Sequence, residues 1–146
     1  MTLQSWLANR WLVEHETSAE EIADLLSVVD RDLIDAKVAG VSSDWRLAMA
    51  YNAALQLATL ALAAEGFRPD RLRAHERAIQ SLRYTVGADR DVIDVLDAVR
   101  RKRNVSNYER AGSATEGEVR EVYEIATTLR HRVRAWLAER HPELIG

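Results

Sequence analysis

The apolar positions of this 146-residue chain recur every three or four residues along most of its length. This spacing places apolar side chains on one face of an α-helix. It predicts helices at about residues 18–40, 42–66, 70–86, from 89 onward, and 115–141. No window shows the apolar–polar alternation and turn chemistry of a β-hairpin. The pattern therefore predicts an all-α protein.

Several predicted helix ends carry residues that cap helices. Ser18 with Glu21, and Thr115 with Glu118, match the capping box, in which a hydroxyl and a carboxylate each satisfy an unpaired backbone N–H group. The connections between the predicted helices are short, which favours antiparallel neighbours. We therefore predict an up-and-down antiparallel bundle of four to five helices with a short N-terminal helix.

The N-terminal helix is predicted from Trp6, Leu7, Trp11 and Leu12, which share one broad helical face. Two tryptophans so close to a terminus suggest that this segment docks on the rest of the protein. The length suits one domain. We predict a single domain over residues 1–146, with residues 1–16 as the docking helix and residues 18–141 as the bundle core.

The predicted helix at residues 42–66 is rich in alanine on all sides, so neighbouring helices can approach it closely. We expect it to be the central and most buried helix, with Trp45, Tyr51 and Phe67 packed in the core or at helix junctions. Asn52 and Gln56 interrupt its apolar stretch, which falls short of a membrane span. With no signal-like N-terminal pattern, we expect a cytoplasmic protein that does not enter a membrane.

The composition excludes several kinds of functional site. The chain has no cysteine, which excludes disulfides, thiolate nucleophiles and cysteine-based metal centres. Its four histidines include no i, i+4 pair. Asp91, Asp94 and Asp97 recur every three residues, but they drift around a helix, and acidic residues near a helix N-terminus are explained by the helix dipole. We therefore predict neither a metal nor an organic cofactor.

Charge is unevenly divided along the chain. Residues 1–66 carry 10 acidic and 4 basic side chains, whereas residues 67–146 carry 13 and 16. The basic excess is most concentrated in one run at the end of the helix that begins near residue 89, made of Arg100, Arg101, Lys102 and Arg103. A local basic patch of this kind can meet a polyanion.

Polar side chains follow the basic run directly. If the helix continues, Arg100, Arg103, Asn104 and Asn107 share one face, and Tyr108 lies one turn beyond Asn104. Guanidinium, amide and phenol groups together can grip a phosphate and hydrogen-bond a base or a ribose. The same groups can also pair with carboxylates of another helix or subunit.

The order of motifs resembles a HEPN domain (higher eukaryotes and prokaryotes nucleotide-binding) of the stand-alone bacterial type, over about residues 20–140. The resemblance lies in Ala50-Tyr51-Asn52-Ala53-Ala54, then Ala61-Leu62-Ala63-Ala64-Glu65-Gly66-Phe67-Arg68-Pro69, then His75 and Arg103-Asn104-x-x-x-Tyr108. It implies a helical bundle that forms a homodimer. It also implies a cleft at the dimer interface that binds a nucleotide or RNA.

Many HEPN domains are metal-independent ribonucleases with an Arg, a polar residue and a His four to six residues after the Arg. By this resemblance, Arg103, Asn104 and Tyr108 are the candidate catalytic residues, and Arg100, Arg101, Lys102, Arg103 and Asn107 are the candidate nucleotide- or RNA-binding residues. Tyr108 stands where the family has His, and a phenol exchanges protons poorly near neutral pH. Binding should therefore survive this difference better than cleavage.

Two further functions stay open. The resemblance also fits a ribonuclease toxin of a toxin–antitoxin or defence system, paired with a nucleotidyltransferase antitoxin that modifies a tyrosine near the motif. Alternatively, the protein is a scaffold, in which Arg103 bonds to acidic residues across the bundle or at the dimer interface and Tyr108 only packs.

Overall fold

The computed structural model describes the backbone of residues 1–106 and 114–145 and the side chains of residues 1–103 and 114–145. The prediction of an all-α bundle is confirmed. The helices are α1 Leu3–Ala8, α2 Ala19–Asp35, α3 Ser43–Ala64, α4 Ala74–Ser81, α5 Arg90–Ser106 and α6 Glu116–Arg140, followed by a 3-10 turn at Pro142–Leu144.

Helix α3 forms the centre of the bundle. It packs most extensively against α2 and α6 and also contacts α4 and α5. Most of its side chains are buried, including the alanines at 50, 53, 54, 58 and 61. The helix is long and apolar enough to cross a membrane, but 72% of its most apolar window is buried inside the protein. Such burial is typical of the core helix of a soluble protein.

Two short strands correct the prediction that the chain forms none. β1 (Leu12–Glu14) and β2 (Phe67–Pro69) pair antiparallel, with Leu12 opposite Pro69 and Glu14 opposite Phe67. Three residues per strand are too few to produce a recognisable alternation. The ribbon joins the N-terminal segment to the connection between α3 and α4.

The N-terminal helix is shorter than predicted, because α1 ends at Ala8 and Trp11 and Leu12 lie beyond it. Arg10 has a φ of 63°, a left-handed conformation that an α-helix cannot continue through. Trp6 and Leu12 are nevertheless both buried, in a small cluster with Leu62. The ribbon, and not a longer helix, therefore brings the second half of this segment onto the bundle.

Two other helices are also shorter than their patterns indicate. α2 ends at Asp35 instead of near Gly40, and α4 covers only Ala74–Ser81 of the predicted 70–86. The residue before α4, Arg73, has a φ of 58°, so the chain turns there before the helix begins. Trp45 also departs from expectation: it lies in the first turn of α3 and is 67% exposed.

Helices α5 and α6 run antiparallel. At one end the Arg132 guanidinium donates to the Gly87 carbonyl at 3.0 Å, and at the other Lys102 contacts Glu118. The buried edge of α5 consists of Ile93, Leu96 and Val99. The helical spacing of Val92, Val95, Leu96 and Val99 predicts that these four form the buried edge of α5. Val92 and Val95 are instead only half-buried and face the junction with α6.

Candidate nucleotide or RNA site

The candidate basic residues, Arg100 to Arg103, form the last turn of α5 whose side chains are described. Arg100 is mostly buried and lies between two carboxylates. Its Nε donates to Asp97 at 2.9 Å, and its guanidinium is 3.8 Å from Glu76 of α4. Arg100 therefore joins α5 to α4.

The next two bases also have carboxylate partners. Arg101 is exposed and lies 3.3 Å from Asp97, one helical turn before it. Lys102 donates to both carboxylate oxygens of Glu118, at 2.8 and 2.9 Å. Glu118 also accepts a hydrogen bond from the Thr115 N–H group, so the capping box predicted at the start of α6 is formed. The Lys102 pair thus ties α5 to this helix start.

The pKa of the Glu118 carboxyl lies below its ordinary value. The largest cause is the hydrogen bond from Lys102, which stabilises the charged form, and the bond from Thr115 acts in the same direction. Burial opposes both but is outweighed. Glu118 is therefore ionised at neutral pH, and its negative charge offsets the positive charge of Lys102.

Arg103 differs from the three bases before it. Its guanidinium carbon lies 5.2 Å from the centre of the Tyr51 ring, a cation–π arrangement. Within the described side chains, Arg103 forms no ion pair, and it is half-buried. The contact with Tyr51, in the middle of α3, places this cation beside the bundle core.

Tyr51 is almost completely buried, and its hydroxyl has no hydrogen-bond partner among the described residues. Burial raises the pKa of the Tyr51 phenol to about 12, although the nearby positive charges of Arg103 and Arg100 act to lower it. The phenol is therefore neutral at physiological pH. It can donate or accept one hydrogen bond, but it cannot act as a base there.

The ion pairs reduce the positive field of the basic run. Four cations, Arg100 to Arg103, face three carboxylates, those of Glu76, Asp97 and Glu118. Among these seven groups the surplus is one positive charge, and Arg103 is the cation without a described acidic partner. Glu76 is also shared with Arg73, at 3.8 Å. Among the described side chains, this surplus suits contact with one or two phosphate groups and is less than the broad basic groove that a long nucleic acid needs.

The remaining residues of the motif lie partly or wholly outside the described residues. Asn104 belongs to α5, but its side chain is outside the described set. Asn107 and Tyr108 lie outside the described residues altogether. Among the described residues, Arg100 and Arg103 lie near Tyr51, which was not among the predicted site residues.

The histidines lie apart from the candidate cluster. His15 bonds to Glu21 at 2.7 Å, and His141 packs on Trp136 and lies 3.5 Å from Glu65. His75 and His131 are exposed. Within the described part of the chain, no histidine forms a hydrogen bond or ion pair with Arg100 to Arg103.

Sequence reasoning missed a second polar cluster, at the junction of α2 and α3. Asp32 is buried and accepts hydrogen bonds from the Asn52 amide at 2.6 Å and from Arg31 at 3.1 Å. The Gln56 amide donates in turn to Asn52. The available signal was the i, i+4 spacing of Asn52 and Gln56 in an otherwise apolar helix.

The described residues contain no candidate metal site, and no similar protein helps to identify a ligand. Across residues 1–106 and 114–145, no three His, Asp or Glu side chains are grouped to hold a metal ion. Comparisons with models of protein families, with curated proteins and with solved structures find no significant match.

Proposed function

We propose that the protein binds a nucleotide or a short stretch of RNA, with Arg103 as the principal phosphate contact. The cation–π placement of Arg103 carries the proposal: a half-buried guanidinium is held by Tyr51 and has no described acidic partner. Such a group can bond bidentately to phosphate. The resemblance to HEPN domains supports the same ligand class.

The ligand should be small. Since Arg100, Arg101 and Lys102 each contact a carboxylate, they add little free charge around Arg103. A homodimer, as the resemblance implies, would bring two copies of Arg103 to one cleft in a cytoplasmic protein. By the resemblance, Asn104, Asn107 and Tyr108 would supply base or ribose contacts.

Binding of fluorescent single-stranded RNA and of a fluorescent nucleotide, followed by anisotropy, tests the proposal. We expect Arg103→Ala to weaken binding about tenfold, the effect of losing one charge-assisted contact. Arg101→Ala is the matched control, because Arg101 is exposed and bonded to Asp97. Equal affinities for wild type and Arg103→Ala would contradict the proposal.

The salt dependence of RNA binding tests how small the contact is. For two neutralised phosphates on a single strand, the slope of log K against log salt should be about −1.4. A slope several times steeper would require that the ion pairs around Arg100 and Lys102 open and that the whole basic run contacts RNA. Binding that is independent of salt would exclude a phosphate contact.

Ribonuclease activity is the second candidate, with the nucleotidyltransferase antitoxin as its partner. It rests on the match of Arg103 and Asn104 to the family motif. Metal-free incubation of RNA with wild type, Arg103→Ala and Tyr108→Phe separates it from binding. Cleavage that disappears in Arg103→Ala would establish the nuclease, whereas binding with intact RNA would favour the first proposal.

The scaffold alternative is favoured by one observation, the pairing of three of the four bases with carboxylates of α4, α5 and α6. In that case, Arg103→Ala would lower the free energy of unfolding or change the oligomeric state and leave ligand binding unaltered. Light scattering and urea unfolding of the same variants measure these effects.

A further inference from the structure

We propose that the groove between α5 and α6 is a docking site for a basic amphipathic helix of a partner protein. The groove has a volume of about 330 Å³ and an apolar floor. Val92 and Val95 of α5 form one side of the floor, and Ile125 and Leu129 of α6 form the other. These valines were expected in the core, but they are only half-buried.

The rim of the groove is acidic. Asp91 lies on the α5 side, and Glu121 and Glu124 lie on the α6 side; all three are exposed. Within the described residues none of them forms an ion pair, whereas Asp94 and Asp97, on the same helix as Asp91, are both paired. Three unpaired carboxylates thus surround an apolar surface.

Among the described residues that line the groove, Arg132 is the only Lys or Arg, and it does not neutralise this rim. Arg132 lies at the end of the groove near the start of α5, where it donates to the Gly87 carbonyl. Arg90, in the first turn of α5, lies 3.8 Å from Asp94. The middle of the groove therefore keeps its negative charge.

Charge and shape together specify the occupant. A channel between two antiparallel helices can accept the apolar face of a third helix. The bound helix then places its residues i, i+3, i+4 and i+7 in the channel. Lys or Arg beside that face would meet Asp91, Glu121 and Glu124. A second copy of the groove does not fit, because a two-fold interface would set the acidic rim against itself.

Selection of a displayed library of helical peptides on the wild-type protein tests the proposal. Enriched peptides should carry apolar residues at helical spacing with flanking Lys or Arg. Their affinity should fall roughly threefold to tenfold in the double variant Glu121→Gln, Glu124→Gln. Glu139→Gln, an exposed position on α6 outside the groove, is the matched control.

Two further variants separate docking from general charge attraction. Val95→Ser should weaken the selected peptides without altering charge, and Arg103→Ala should leave them unaffected, since this site is independent of the proposed function. The proposal is overturned if the enriched peptides lack the pattern. It is also overturned if these peptides bind the double variant and Val95→Ser with the same affinity as the wild type. Binding of small apolar molecules alone would likewise overturn it.

Discussion

Tyr51 packs in the core of the bundle and also contacts Arg103, the proposed phosphate-binding residue. Its ring fills the core of the bundle and supports Arg103, yet its hydroxyl has no described partner. An unsatisfied buried hydroxyl costs about 1–3 kcal/mol. Core packing alone would be served equally well by phenylalanine, so the hydroxyl adds the cost of burying a polar group without a described bond in return.

Replacing Tyr51 by Phe should raise the free energy of unfolding by about 1 kcal/mol at pH 7, because the ring stays and the unsatisfied group is removed. Urea unfolding measures the change. Tyr84→Phe is the control, since Tyr84 is half-buried and packs edge-on against Trp6. If Tyr51→Phe is instead less stable by a similar amount, the hydroxyl has a bonding partner in solution.

Tyr51→Phe should also change how the free energy of unfolding depends on pH. The folded-state pKa of Tyr51, about 12, lies above its unfolded value of about 10, so folding favours the neutral phenol. This contribution to stability is complete below pH 10 and is lost as the pH rises from 10 towards 12. The wild type should therefore lose stability in this window more steeply than Tyr51→Phe, as measured by urea unfolding at a series of pH values.

At the residue scale, the sequence located the basic run but not the groups that its side chains contact. The run Arg100 to Arg103 is evident from composition. Its partners Glu76 and Glu118 lie 24 and 16 positions away from Arg100 and Lys102 in the chain, so no local spacing indicates them. Whether a basic run is free or neutralised depends on such contacts, which form only when the helices pack.

Among the elements, α5 and α6 are joined by the bond between Lys102 and Glu118. Glu118→Gln keeps an acceptor for the capping box but removes the charge that faces Lys102. We expect a loss of about 0.5–1 kcal/mol in unfolding free energy at neutral pH. Glu139→Gln, exposed on the same helix, should have little effect.

The pKa of Glu118 also gives the pair an acid limit. Because the folded-state pKa lies below the ordinary value of 4.5, this stabilisation is present above about pH 4.5 and is lost as the pH falls through the folded value. Thermal unfolding between pH 3 and 7 should show a shallower acid decline for Glu118→Gln than for the wild type. Parallel curves would mean that Glu118 does not contribute.

Periodicity and capping residues predicted the long helices well, because α2 and α6 each bury a regular stripe and α3 is apolar on most sides. Their N-caps are Ser18, Ser42 and Thr115. The short elements were predicted poorly. β1 and β2 depend on pairing across more than 50 residues, and α4 starts after a left-handed residue, Arg73, that no pattern marks. The wide apolar face of α5 was assigned wholly to the core, although part of it lines the groove.

At the scale of the whole molecule, the bundle depends on close approach to α3. Ala58 is completely buried there, whereas Ala48 is half-buried on the same helix. Ala58→Leu should lower the free energy of unfolding by about 1–3 kcal/mol through overpacking. Ala48→Leu should cost much less, and equal losses in urea unfolding would show that α3 is not tightly enclosed.

The whole molecule also separates its two proposed binding regions by charge. Arg103 lies beside Tyr51, and the acidic groove lies between α5 and α6, bordered by Asp91, Glu121 and Glu124. An anionic ligand and a cationic helix would therefore be directed to different parts of the surface. Variants of one region should leave binding at the other unchanged.

The burial of α3 has a consequence for how the protein is made. On the ribosome, α3 emerges before α6, one of the two helices that cover it most. Until α6 follows, the nascent chain presents an apolar segment with the length and hydropathy of a membrane span. A chain truncated after residue 106 should therefore sediment with membranes or aggregate in cell fractionation, while the full chain stays in the supernatant. We therefore expect that α6, once it is synthesised, covers the apolar surface of α3 and removes it from contact with water or a membrane.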